Sequence, residues 1–212
     1  MESIKSKKGS VYINSRNFGE AEDITEKFGI MAELKQTIEQ TYESARCGNW
    51  EQVLAAWRQD PELARACSRY REPISGWTFL HLAACHGHES ASRELIRLGA
   101  NGILETREMH SAADIAQQHQ HPDLVNLLQR VAESSESLWN PSHDPDLLPS
   151  SNLWGEAVER RATETMRVAY GGSVVSIPAG SRYYVDSFER TLIGWHGSYD
   201  PPSGMDGMPM TE

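Results

Sequence analysis

The residues of this 212-residue chain best suited to chemistry are its histidines and the acids and hydroxyls near them. His81, His86 and His88 put three imidazoles within one short stretch. Such a group can ligate a metal, but neither a cysteine pair nor a His-Glu-x-x-His spacing stands nearby to complete a site. No metal and no cofactor is therefore expected. His119 and His121 bracket a turn between two helical stretches and read as turn residues. A further group, His196 with Asp186, Asp200 and Ser203, could assemble a base, a carboxylate and a hydroxyl beside Pro201 and Pro202. Residues 194–203 contain no nucleophile elbow, no phosphate loop and no known order of triad partners, so no catalytic residue is assigned. Cys47, Cys67 and Cys85 lack metal-type spacing and fall in helical segments, which predicts free, buried thiols.

Composition narrows the function classes further. A formal net charge of −10 and the lack of any Lys/Arg cluster beyond Lys5, Lys7 and Lys8 argue against nucleic-acid binding. The same acidity suits attraction of a basic partner. No apolar run approaches the roughly 20 residues that cross a bilayer, and residues 1–15 have no apolar signal core. A cytoplasmic protein without membrane attachment is the expectation.

The elements that must position any site show a repeat. Ala83 and Ala116 lie 33 residues apart, and the same step carries Thr78 to Ser111, His88 to His121 and Leu95 to Leu128. Small Ala83 and Ala84 allow close approach of an inner helix, Leu95 and Ile96 give an outer helix its apolar stripe, and Gly87 and Gly99 end the two helices. Residues 76–101 resemble the ankyrin repeat, through Gly76, Thr78, Leu80, His81, Ala83, Ala84, Gly87, His88, Leu95, Ile96, Gly99 and Ala100; Phe79 stands where that family prefers proline. The resemblance implies that His81 and His88 are structural, the first bonding to backbone and to Thr78.

Residues 104–130 form a degenerate following unit, with Met109, Ser111, Ala112, Ala113 and Asp114 in the places of the opening turn. Residues 44–57 read as an earlier unit without its opening turn. Ala45 and Gly48 precede Ala84 and Gly87 by 39, so six residues are inserted between the units. The insertion is placed in 60–74, where Asp60-Pro61 can start a further helical turn and Glu72-Pro73 breaks it.

The expected organisation is a loose N-terminus over 1–22, an ankyrin-repeat domain of two to three repeats over 23–132 with an N-terminal cap helix, a linker over 133–152, and a C-terminal unit over 153–212. In that unit an amphipathic helix over 152–169 is expected to cap the stack, followed by a three-stranded antiparallel meander over 173–177, 182–186 and 191–196 and an irregular tail. Tyr183, Tyr184, Trp195 and Tyr199 read as the large side chains that a small sheet buries. The fold class is mainly α in the stack and α+β overall.

The resemblance implies binding of a partner protein through the turn tips and the concave face. Arg71, Glu72, Trp77, Arg107 and His110 fall at the tips, and His86, Gln117 and Gln118 on the concave face. An adaptor or inhibitor-like role follows. The rival reading is a small enzyme or ligand-binding unit around His196 and Asp200, delivered by the repeats.

Overall fold

The computed structural model describes residues 16–134 and 147–203, with side chains over 29–133 and 147–203. The chain divides into a unit over 1–37 and a unit over 38–212. The first contains most of α1 (Arg16–Arg46), whose Ile30, Met31 and Leu34 are exposed. Helix α1 is longer than the expected cap helix and continues into the second unit, where Tyr42 and Ala45 enter the core. The expected loose segment lies outside the described residues over 1–15, and its remainder is helical.

The second unit opens with helical hairpins. The end of α1 turns into α2 (Trp50–Gln59), α4 (Phe79–Cys85) into α5 (Glu89–Arg97), and α6 (Ala112–Gln118) into α7 (Pro122–Ser134). All three turns share one backbone solution: Gly48, Gly87 and Gln120 take positive φ, and their N–H groups donate to the carbonyls of Ala45, Ala84 and Gln117. Glycine is needed most at Gly87, where a Cβ would stand 2.5 Å from the His121 ring packed against it. Gly87→Ala is expected to expel that ring, breaking its contact with the Cys85 carbonyl (3.3 Å), and to lower stability by about 1–3 kcal/mol in urea unfolding. An unchanged midpoint would contradict this packing.

The six-residue insertion is helical. Asp60 caps α3 (Pro61–Arg69), accepting from the N–H groups of Glu62 and Leu63 at 3.1 and 3.0 Å, with Pro61 at the first helical position. Leu63, Ala64 and Cys67 are buried, and Leu95 and Leu128 share the same core, as stacked equivalent helices require.

The remaining residues differ from the sequence reading. In place of a helix over 152–169 the chain forms a short 3-10 turn at Trp154–Glu156, strand β2 (Val158–Arg161) and strand β3 (Met166–Tyr170). Pairing explains the correction: β2 lies antiparallel to β5 (Arg182–Val185), with Glu159 opposite Tyr184, and β3 lies antiparallel to β4 (Ser173–Ile177). The expected meander is instead two sheets. One has the order β1 (Ser150–Ser151), β6 (Thr191–Leu192), β5, β2, with β1 and β6 parallel; the other is the β3–β4 hairpin. Of the third expected strand only Thr191–Leu192 is strand, and Trp195–Gly197 is a 3-10 turn. The described part of the linker is not free of the fold: Leu147 is buried, and its carbonyl accepts from Arg69 on α3 at 3.4 Å. Trp139, the tryptophan of the linker, lies outside the described residues, as does the tail over 204–212.

The strand-rich part packs on the outer helices rather than over the end of the stack. Phe188 enters the stack's core, Arg93 of α5 donates to the Ser187 carbonyl (3.1 Å), and Arg130 of α7 pairs with Glu156. The end of the last helical pair presents Gln117, Gln120, Asn126 and Gln129 to solvent. Polar side chains thus do there what the expected cap helix was to do.

Candidate functional site

Two turns project from the stack ahead of α4 and α6. In the first, Arg71 bridges Thr78, and the Glu72 N–H donates to the Trp77 carbonyl (2.8 Å). In the second, Glu105 bridges Ser111, and the Thr106 N–H donates to the His110 carbonyl (2.9 Å). Gly76 and Met109 hold equivalent positive-φ places. The turns are bonded to one another: Arg107 N–H donates to the Ser75 carbonyl (2.8 Å), its guanidinium to the Pro73 carbonyl (2.6 Å), and the Arg71 guanidinium to the Glu105 carbonyl (2.7 Å).

Beneath them, Thr78 and His81 cap α4 reciprocally. The Thr78 N–H and hydroxyl approach His81 Nδ1 at 3.1 and 2.8 Å, so Nδ1 accepts and Nε2 carries the proton, donating to the His110 carbonyl at 3.2 Å. Burial holds the imidazole pKa below its usual range. In the next repeat Asp114 takes the same place, its carboxylate accepting from the N–H and hydroxyl of Ser111 at 2.8 and 2.6 Å; those bonds lower its pKa. An imidazole in one repeat and a carboxylate in the other perform one capping function.

A groove of about 570 Å³ runs between the end of α1, the first turn and α4. Tyr42, Ile74, Trp77, Leu82 and Cys85 provide its apolar walls; Glu43, Arg46, Glu72, Ser75 and His86 provide polar ones. Ile74 is 80% exposed. Burial, with the Glu72 carboxylate nearby, pushes the Tyr42 phenol up to about 12. Hydrogen bonds from Ser75 and the Ile74 N–H lower the Glu72 pKa, so the carboxylate stays ionised. Burial raises the Cys85 thiol, which rests 3.5 Å from His119 Nε2.

Of the residues expected to meet a partner, Glu72, Trp77 and His86 line this groove. Trp77 is half-buried against the core, and His86 sits under the α1–α2 turn with Nε2 at 3.3 Å from the Arg46 carbonyl. Arg71 and Arg107 are exposed but tied between the two turns. His110 holds the second turn, its N–H donating to Thr106 Oγ1 at 3.2 Å, and Gln118 is exposed at the end of α6. Sequence reasoning missed Ile74 and Tyr42. The usable signal was a large apolar residue at a polar turn tip, as in Pro73-Ile74-Ser75.

The C-terminal candidates do not converge. Asp186 is buried, accepting from the N–H groups of Phe188 and Arg190 and from the Arg190 guanidinium at 2.9, 3.0 and 2.9 Å. His196 is exposed in a positive-φ turn, and the Asp200 N–H donates to Ser198 Oγ (3.2 Å). Among the described residues no hydrogen bond or ion pair joins Asp186, His196, Asp200 and Ser203, and no group of three His, Cys, Asp or Glu side chains is placed to hold a metal. Cys67 is buried, with its thiol pushed up to about 12, and Cys85 is half-buried; Cys47, expected buried, is exposed because it falls in the turn after α1.

These features define an ankyrin-type repeat scaffold. Residues 75–106, which run from the second half of the first projecting turn through α4 and α5 to the start of the second turn, match the family model for the ankyrin repeat. No curated protein matches the chain. The repeat marks the chain as one that carries a protein-interaction module, and no described helix is long and apolar enough to cross a membrane.

Proposed function

We propose that this chain is a cytoplasmic adaptor or inhibitor-like protein that holds a segment of a partner protein in the groove between α1, the first projecting turn and α4. The observation that carries this reading is the juxtaposition of solvent-facing Ile74 with half-buried Trp77 at the groove's rim. An aromatic anchored at its base and an exposed aliphatic beside it have the make-up of an interface hot spot. Gln118 and His110 extend the contact toward the second repeat, while Arg71 and Arg107 act at its edge. With a chain charge of −10, and Glu43 and Glu72 at the groove, a partner segment carrying basic residues is favoured.

Cross-linking capture from the native host, followed by titration of each captured protein onto the purified full chain, tests the proposal. Ile74→Asp and Trp77→Ala should each weaken binding about thirty-fold, as loss of an anchor worth about 2 kcal/mol implies. Gln129→Ala, at the far end of the stack, should leave affinity unchanged. Equal affinity in all three variants would refute the assignment of the groove.

A further inference from the structure

We infer that the free edge of β4 is a self-association site, through which two copies of this chain join their β3–β4 hairpins into one four-stranded antiparallel sheet. The hairpin fixes which backbone groups are free. Gly171 and Gly172 form a two-residue turn with φ of +54° and +77°, so Tyr170 and Ser173 close it as a hydrogen-bonded pair. Alternation then turns the backbone groups of Ser173, Val175 and Ile177 toward β3, and the N–H and C=O of Val174 and Ser176 away from it. The far side of β3 obeys the same phase: the Leu148 N–H donates to the Arg167 carbonyl and the Ala169 N–H to the Leu148 carbonyl, at 3.2 and 2.9 Å. No described residue pairs with the outward groups of Val174 and Ser176.

The other sheet edges differ. That of β3 is covered by residues 148–150, and β2 carries Glu159, Arg160 and Arg161 along its exposed length, which is how edge strands resist pairing. Strand β4 reads Ser-Val-Val-Ser-Ile, without charge or proline, and Val174 is 45% exposed. A two-stranded sheet is marginal by itself and gains from further strands.

The occupant that fits is a second copy. An antiparallel two-fold arrangement centred on Val175 sets Val174 opposite Ser176 of the other copy and Ser176 opposite its Val174. Each of these pairs exchanges two N–H···O bonds, and Val175 meets its own equivalent at the close, non-hydrogen-bonded position. Self-pairing is permitted electrostatically. Residues 147–203 hold five arginines against six carboxylates, so the bulk of the chain's −10 lies elsewhere.

Sedimentation velocity of the full chain from micromolar to submillimolar concentration tests this. The expected result is a concentration-dependent dimer that strengthens with salt, because screening reduces repulsion between two acidic copies. The double variant Val174→Lys, Ser176→Lys places like charges opposite each other and should move the monomer–dimer midpoint up at least about ten-fold; Val174→Glu, Ser176→Glu should do the same. Both positions are exposed, and circular dichroism verifies folding. Mixing the two variants should restore a heterodimer, since each Lys then faces a Glu. A wild-type chain monomeric throughout, a dimer indifferent to both variants, or a mixture that stays monomeric would overturn the proposal.

Discussion

Phe188→Ala is expected to destabilise the protein by about 3–5 kcal/mol in chemical denaturation, the cost of removing a large aromatic from a filled core. Phe188 is 2% exposed and belongs to the core of the helical stack although it is carried by a loop between β5 and β6. Arg190, Arg130 and Arg93 stand 4.9, 5.3 and 5.9 Å from its ring centre, adding cation–π attraction to the apolar burial. The loop that presents the ring is preformed by the buried Asp186–Arg190 pair, so the side chain has little freedom to find another place. Limited proteolysis should then cut residues 147–203 faster while the helical signal persists. Phe188→Leu, which keeps most of the volume, should lose less than about 1.5 kcal/mol. A loss below about 1 kcal/mol for the alanine variant would mean that the ring does not anchor the strands to the helices.

The second large effect is expected at His81 and depends on pH. Its depressed pKa means that the folded protein keeps the ring neutral while the unfolded chain takes up a proton near the ordinary imidazole value of about 6.5. Below that value the unfolded state binds the extra proton, so stability falls with acidification until the folded pKa is reached, by at most about 1.4 kcal/mol per pH unit. His88 is shifted in the same direction by burial, and being more exposed it contributes less. His81→Ala should cost about 2–4 kcal/mol at neutral pH, because the capping bonds disappear and the His110 carbonyl loses its donor. It should also flatten the stability profile on acidification below about pH 6.5, by up to one proton's slope until the folded pKa is reached. Urea midpoints measured across that range in both proteins decide the matter: parallel profiles would show that His81 does not titrate between the two states. Asp114 behaves differently, since its lowered pKa gives stability that is present above the ordinary carboxylate range and is lost only at lower pH.

The helical hairpins were legible because their determinants are local and recur. Thr78 and Ser111 cap equivalent helices, and Ala83 and Ala116 occupy equivalent close contacts with no exposed surface. Even the insertion announced itself through Asp60-Pro61. Residues 152–169 misled for the opposite reason. Trp154, Ala157, Val158, Ala162 and Met166 fall at helical spacing, yet β2 is exposed along its whole length and gives no alternation to betray a strand. What makes it a strand is β5, more than twenty residues away, and no local signal reports that pairing. The candidate site was half legible for a related reason. Position in the repeat brought out Trp77 and His86, whereas Ile74 and Tyr42 join the groove from the tip of the first projecting turn and from the end of a preceding helix.

The ties between the projecting turns have a bearing on how this surface can change. Arg71 reaches the Glu105 carbonyl as well as the Gly76 carbonyl of its own turn, and Arg107 reaches the Pro73 carbonyl, so each arginine secures the loop of its neighbour. Two adjacent loops latched in this reciprocal way move together as one rim. A ligand that displaces either will feel the stiffness of both, and replacing either arginine would slacken the two loops at once.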